Sequence, residues 1–136
     1  MDLLPPELSA AAKEAEERSG HHPRRLTIAL GYGGRQEIAD ATRELVRSLS
    51  ESAGPEEDIT AGITPEAIAR HLYASDMPDP DLVIRTSGES RLSGFLLWQA
   101  AYSEYSFVDV YWPEFRRVDF LRELRNYTQR ERRFGQ

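Results

Sequence analysis

The chain has no cysteine among its 136 residues, which excludes a disulfide framework and a thiolate metal site and fits a reducing compartment. Cytoplasm is therefore the expected location. No apolar run approaches the roughly 20 residues of a membrane span, and Met1-Asp2-Leu3-Leu4-Pro5-Pro6 lacks the basic start and apolar stretch of a signal peptide. Basic residues are in deficit, 17 against 23 acidic, for a net charge of -6. That balance argues against a nucleic-acid partner or an anionic membrane surface, so any anion must be bound locally. Internal repeats and low-complexity tracts are also missing. The length fits one module or part of one, short for a complete α/β enzyme.

What is present is an alternation of short apolar runs and helical periodicity. Glu7 to Arg18 reads as a surface helix with a thin apolar face, entered through Pro5-Pro6 and stopped by Ser19-Gly20. Leu26 to Leu30 reads as a strand that ends in Gly31-Tyr32-Gly33-Gly34. In the next helix Ile38, Ala41, Leu45, Val46 and Leu49 recur at steps of three and four. A polar loop follows over Ser50 to Gly62. Thr64-Pro65-Glu66 places an N-cap, a first-turn proline and an early acid in order, which predicts a short helix through Leu72 or Tyr73. Leu82-Val83-Ile84 is a second strand. Ser93 can cap an interior apolar helix running from Gly94 or Phe95 to Ala101, and Phe107 to Tyr111 is a third strand before Trp112-Pro113. A last amphipathic helix spans Val118 to Arg133, with Phe120, Leu121, Leu124 and Tyr127 on one face. The pattern predicts an α/β protein, a mostly parallel sheet flanked by helices, in a single portion covering 1–136. Three strands are few, so the sheet should lack neighbours.

The stretch from Asp79 to Phe107 carries the chemistry. Arg85 closes a strand, and in open α/β sheets ligands gather beyond the carboxyl ends of strands. Arg91 and Ser93 follow within a turn, at an expected helix N-terminus whose N–H groups favour an anion. Two guanidinium forks, a hydroxyl and the N–H groups of the Ser87-Gly88 turn make a plausible diphosphate clamp. The plainer alternative pairs Arg85 with Asp81 or Glu89 and leaves Ser93 as a cap. Glu104 is eleven residues beyond Ser93; along a straight helix that is roughly 16 Å, too far to share a ligand. One carboxylate is a weak metal signal by itself. Gly31-Tyr32-Gly33-Gly34-Arg35 matches neither the dinucleotide fingerprint nor the Walker loop and reads as a tight turn. His21-His22 reads as surface and His71 as a structural histidine.

Arg85-Thr86-Ser87-Gly88-Glu89-Ser90-Arg91-Leu92-Ser93, followed by Phe95-Leu96-Leu97-Trp98-Gln99 and Ala101-Tyr102-Ser103-Glu104, closely resembles the cis-prenyltransferases, or undecaprenyl diphosphate synthases. Tyr32-Gly33-Gly34-Arg35, Trp112-Pro113 and Arg132-Arg133-Phe134-Gly135 are similar to that family too. The resemblance implies a partial cis-prenyltransferase fold and magnesium-dependent condensation of isopentenyl diphosphate with an allylic diphosphate, forming cis double bonds. It implies that Arg85, Arg91 and Ser93 hold the isopentenyl diphosphate, that Leu92, Arg133 and Gly135 belong to the substrate-binding set, and that Glu104 is the metal ligand. The terminal Arg133-Phe134-Gly135 resembles a device that reaches a neighbouring subunit, which implies a homodimer or a heterodimer with a full-length homologue.

Gly31 and Gly94 stand where many family members carry asparagine, a pattern similar to actinobacterial short-chain members that make Z-farnesyl diphosphate. The family's His-x-x-Asp-Gly-Asn-x-Arg-Trp motif, with its catalytic aspartate, is absent, so the chain resembles the C-terminal half and has no catalytic residue of its own. It is expected to be inactive alone. The alternatives are an accessory subunit that completes a partner's site and a generic phosphate-binding α/β module.

Overall fold

A computed structural model describes residues 5–19, 24–54 and 58–130. The chain divides into two compact units, Met1–Tyr32 and Gly33–Gln136. The first contains helix α1, Pro6–Ser19, which buries none of its residues. That matches its thin apolar face.

The strand expected at Leu26 to Leu30 is not formed. Those residues have no regular structure, and Leu26 and Ile28 are 84% and 71% exposed. The apolar alternation is genuine, but a strand exists only when its N–H and C=O groups meet a ladder. Among the described residues the sheet ladder joins two other segments, and Leu26 to Leu30 is not a strand of it.

In the second unit, α2 (Gly34–Ser52) is the longest element and buries Gly34, Glu37, Ala41 and Leu45. It runs into the stretch expected to be loop, which also holds a 3-10 turn at Ile59–Gly62. Helix α3, Pro65–Ala69, starts as its sequence dictates, with Thr64 Oγ accepting from the Ala67 N–H at 3.1 Å and Pro65 in the first turn. It stops three or four residues early, and turns carry the chain on to Met77. His71 has the structural role expected of it, Nδ1 donating to the Ala67 carbonyl at 2.8 Å.

Strands β1 (Leu82–Arg85) and β2 (Glu104–Phe107) form a two-stranded parallel sheet, with Leu82 opposite Glu104 and Arg85 opposite Phe107. The second strand therefore lies three residues earlier than its apolar run suggested. The cause is the preceding segment. Residues 94–102 are a succession of turns rather than a helix, because Gly94 (φ 85°) and Leu96 (φ 48°) are both left-handed. Two such residues in the first turn prevent an α-helical ladder from starting. Ser93 consequently caps nothing.

Side chains alternate across a strand, so Val83, Arg85, Tyr105 and Phe107 share one face and Leu82, Ile84, Glu104 and Ser106 the other. On the first face the Tyr105 hydroxyl donates to the Ala100 carbonyl at 2.9 Å. On the second, the buried Ser106 hydroxyl donates to Glu123 of helix α4, Arg117–Thr128. The 93–102 segment and α4 thus flank the sheet on its two faces, an α/β arrangement in which the strands stay mostly half-buried.

Helix α4 is shorter than expected and turns a different face inward. Its buried residues are Asp119 and Glu123, whereas Phe120 and Leu121 are exposed. The reason is the polar partner across the interface: Ser106 needs an acceptor and Glu123 supplies it.

Candidate functional site: a cleft at the end of strand β1

The carboxyl end of β1 delivers Arg85 to the face covered by the 93–102 segment. Its Nη1 donates to Ser93 Oγ at 2.8 Å, so two of the expected clamp residues meet. Asp81 and Glu89, the acids of the plainer alternative, are not its hydrogen-bond partners. Nε of the same guanidinium is buried and, among the described residues, has no hydrogen-bond acceptor. A buried donor left unmade is costly, and the guanidinium that carries it belongs to a residue lining an open cleft. Beside it lies a cleft of about 490 Å³ whose lining includes Ile84, Arg85, Leu92, Ser93, Phe95 and Tyr105. One end is cationic and hydroxylic. The remainder is mostly apolar.

Arg91 is held elsewhere. Its Nε and Nη2 both donate to Glu89 Oε2, at 3.2 and 3.0 Å, and its side chain is 82% exposed. The turn between the two arginines also differs from expectation. The Ser87 N–H donates to the Val110 carbonyl at 2.9 Å and the Gly88 N–H to Val108 at 3.0 Å. Both residues are left-handed, with φ of 81° and 67°, a conformation held by these cross-links to the chain after β2. Those N–H groups are spent on the fold, and no helix N-terminus follows Ser93, so the anion-binding capacity rests on side chains.

Glu104 opens β2, at the opposite end of the sheet from Arg85 and on its other face. Its Oε2 accepts from Arg130 Nη1 at 3.1 Å, and the same nitrogen donates to the Tyr105 carbonyl at 2.9 Å. Among the described residues no three His, Cys, Asp or Glu side chains group to hold a metal ion. Magnesium takes six oxygen ligands in near-octahedral array. The described residues do not assemble that set. Arg133, Gly135 and His21-His22 lie outside the described residues.

Periodicity did not single out Glu37. It is 1% exposed, and its carboxylate accepts the Tyr73 N–H at 3.0 Å and Gln99 Nε2 at 3.1 and 3.2 Å. A signal existed, since Glu37, Ala41 and Leu45 are four residues apart and form the buried stripe of α2. Nearby, Asp40 accepts from the Tyr73 hydroxyl at 2.6 Å. That bond, with those from Arg43 and Gln36, holds the Asp40 carboxyl below its ordinary range and raises the Tyr73 phenol in turn.

Comparison with known proteins adds a family. Residues 1–135 match the prenyltransferase family model described as "Putative undecaprenyl diphosphate synthase". The chain is 56% identical over 135 residues to an isoprenyl transferase of Deinococcus radiodurans, covering 98% of this chain and 49% of that protein. It is 54% identical over 136 residues to isoprenyl transferase 1 of Corynebacterium diphtheriae, covering 99% of this chain and 51% of the other. Among solved structures it is similar to lavandulyl diphosphate synthase from Lavandula x intermedia, crystallised with dimethylallyl diphosphate. The TM-score there is 0.88 at 32% identity, over 98% of this chain and 56% of that one. The chain therefore spans about half the length of the relatives it matches.

Proposed function

The chain belongs to the undecaprenyl diphosphate synthase family of isoprenyl transferases, and from that premise we propose that it carries the isopentenyl diphosphate half-site of a cis-prenyltransferase. The supporting observation is the Arg85–Ser93 contact at 2.8 Å beside the cleft, with a buried, unanswered Nε on the same guanidinium. A diphosphate oxygen entering there accepts from a charged fork and a hydroxyl together. Arg91 joins by leaving Glu89, at small cost because that ion pair is solvated. The apolar remainder of the cleft, with Leu92, Phe95 and Tyr105, suits a short hydrocarbon body.

In this reading the reaction joins isopentenyl diphosphate to an allylic diphosphate with a new cis double bond, and Arg133 and Gly135 complete the substrate-binding set in a homodimer or beside a full-length homologue. Departure of the allylic diphosphate requires its growing charge to be stabilised by fixed cations. Magnesium would supply such charge, and Glu104 would hold it through a carboxylate oxygen. In this reading the chain is inactive by itself, since one carboxylate does not make a magnesium site.

Condensation of radiolabelled isopentenyl diphosphate with geranyl or farnesyl diphosphate, with magnesium, tests the last point. No product is expected from this chain, and turnover at the rate of a full-length relative would overturn the claim. Calorimetry tests the clamp: Arg85→Met should weaken inorganic diphosphate binding by roughly 1.5–3 kcal/mol, and Arg91→Ala by less. Equal affinity for wild type and Arg85→Met would remove Arg85 from the site. Diphosphate binding with no preference for isopentenyl diphosphate would favour a generic phosphate module.

A further inference from the structure

The buried Glu37 has no part in the reading above, yet it touches the segment that carries Ser93. Residues 94–102 have no helical ladder of their own, so their position depends on ties to neighbouring elements. Helix α2 supplies two. The Gly34 N–H donates to the Gly94 carbonyl at 2.9 Å, immediately after Ser93. One turn further along α2, both Glu37 oxygens accept from Gln99 Nε2, while Oε1 also takes the Tyr73 N–H. The two ties bracket Phe95 to Trp98. Gln99 Oε1 is buried and has no partner among the described residues. Its amide is therefore oriented by the carboxylate, with the NH2 toward Glu37 at the expense of the oxygen.

We propose that Glu37 is a positioning residue for the diphosphate clamp, seating Ser93 against Arg85 by anchoring Gln99 through the fixed polarity of a carboxylate–amide pair. This rests on the reading that Arg85 and Ser93 hold a diphosphate. Charge-assisted bonds at a water-excluded spot are the strong ones, and a half-ångström drift of a supporting shell is enough to loosen a site.

The test uses the whole chain with Trp112→Phe, so that Trp98, next to Gln99, is the sole indole. Inorganic diphosphate is the probe, with affinity measured by calorimetry and Trp98 emission read in parallel. Glu37→Gln sets amide against amide. It should weaken diphosphate binding about tenfold or more, the loss of roughly one charge-assisted bond, and shift the Trp98 emission. The exchange Glu37→Gln with Gln99→Glu restores one carboxylate and one amide with the polarity reversed, and the amide oxygen on α2 can still accept from Tyr73. It should recover affinity to within about threefold of wild type, a recovery that general core damage does not produce. If Glu37→Gln does not fold, Gln99→Leu, which cuts only the tie between α2 and the segment, carries the same expected loss. Unchanged affinity in the folded single variants, or an exchange that restores the Trp98 signal and not the affinity, would overturn the assignment. An unsubstituted chain that binds no diphosphate would instead remove the half-site reading on which it rests.

Discussion

At the scale of single residues, two glycines and two arginines decide how the cleft is built. A Cβ on Gly34 would stand 2.6 Å from the Gly94 carbonyl oxygen and 3.1 Å from the Leu97 nitrogen, both backbone atoms that cannot move aside without shifting the segment. Gly34→Ala should therefore destabilise the chain by about 1–3 kcal/mol, seen as a lower midpoint in urea. Gly33→Ala, whose Cβ meets nothing within 4 Å, is the control. The arginines divide the work. Arg85 is committed to Ser93, while Arg91 is detained by Glu89, so Glu89→Gln should tighten inorganic diphosphate binding by up to about 1 kcal/mol, the worth of an exposed ion pair. Calorimetry that found weaker binding in Glu89→Gln would mean that Glu89 orders Arg91 for the ligand rather than competing for it. The Arg85–Ser93 meeting was legible from spacing, because the end of a strand and a hydroxyl eight residues on can be joined by one turn. The detention of Arg91 was not, since a local acid competes at the same range.

Among the elements, helix α4 shows where periodicity misleads. Its apolar residues fall on one face, but the face that packs carries Asp119 and Glu123. Asp119 is buried as the partner of a capping box: its carboxylate accepts from the Arg116 N–H at 3.0 Å and from the Arg116 and Arg122 guanidinium groups. The Arg116 backbone bond, then the Arg116 side chain, hold its carboxyl below the ordinary value. A depressed folded-state pKa contributes stability that is present above the unfolded value, about 3.9 for aspartate, and is lost as the pH falls through the folded one. Between about pH 5 and pH 2 wild type should accordingly lose more stability than Asp119→Asn, which is weaker at neutral pH and flatter in acid. Urea midpoints taken across that range would show it, and parallel acid limbs would contradict it. Helices α2 and α3 were readable because their caps and stripes are local. The segment after Ser93 was not, because Leu96 is left-handed without a local signal for it and the segment's ties to Glu37 and Gly34 come from about sixty residues away.

The whole chain matches family relatives along its length while spanning half of theirs, and burial is uneven along it. Leu26 and Ile28 have the alternation of a sheet strand and are open to solvent, whereas Leu45 on α2 is 4% exposed. Replacing Leu26 or Ile28 by serine should change the stability of this chain by less than about 0.5 kcal/mol, while Leu45→Ala should cost about 2–5 kcal/mol. Comparable losses at Ile28 and Leu45 would show that the Leu26 to Leu30 run is already packed. Sequence disclosed the parallel pair and its helices. It could not disclose which runs find a ladder, because a ladder is made with residues distant in sequence. The two-stranded sheet has a practical corollary. Each strand leaves one margin of amide and carbonyl groups without a third strand among the described residues, and such margins template other chains. Protein yield and dispersity should thus depend on concentration, with dilute, cold preparations staying monodisperse and concentrated ones growing by lateral strand accretion.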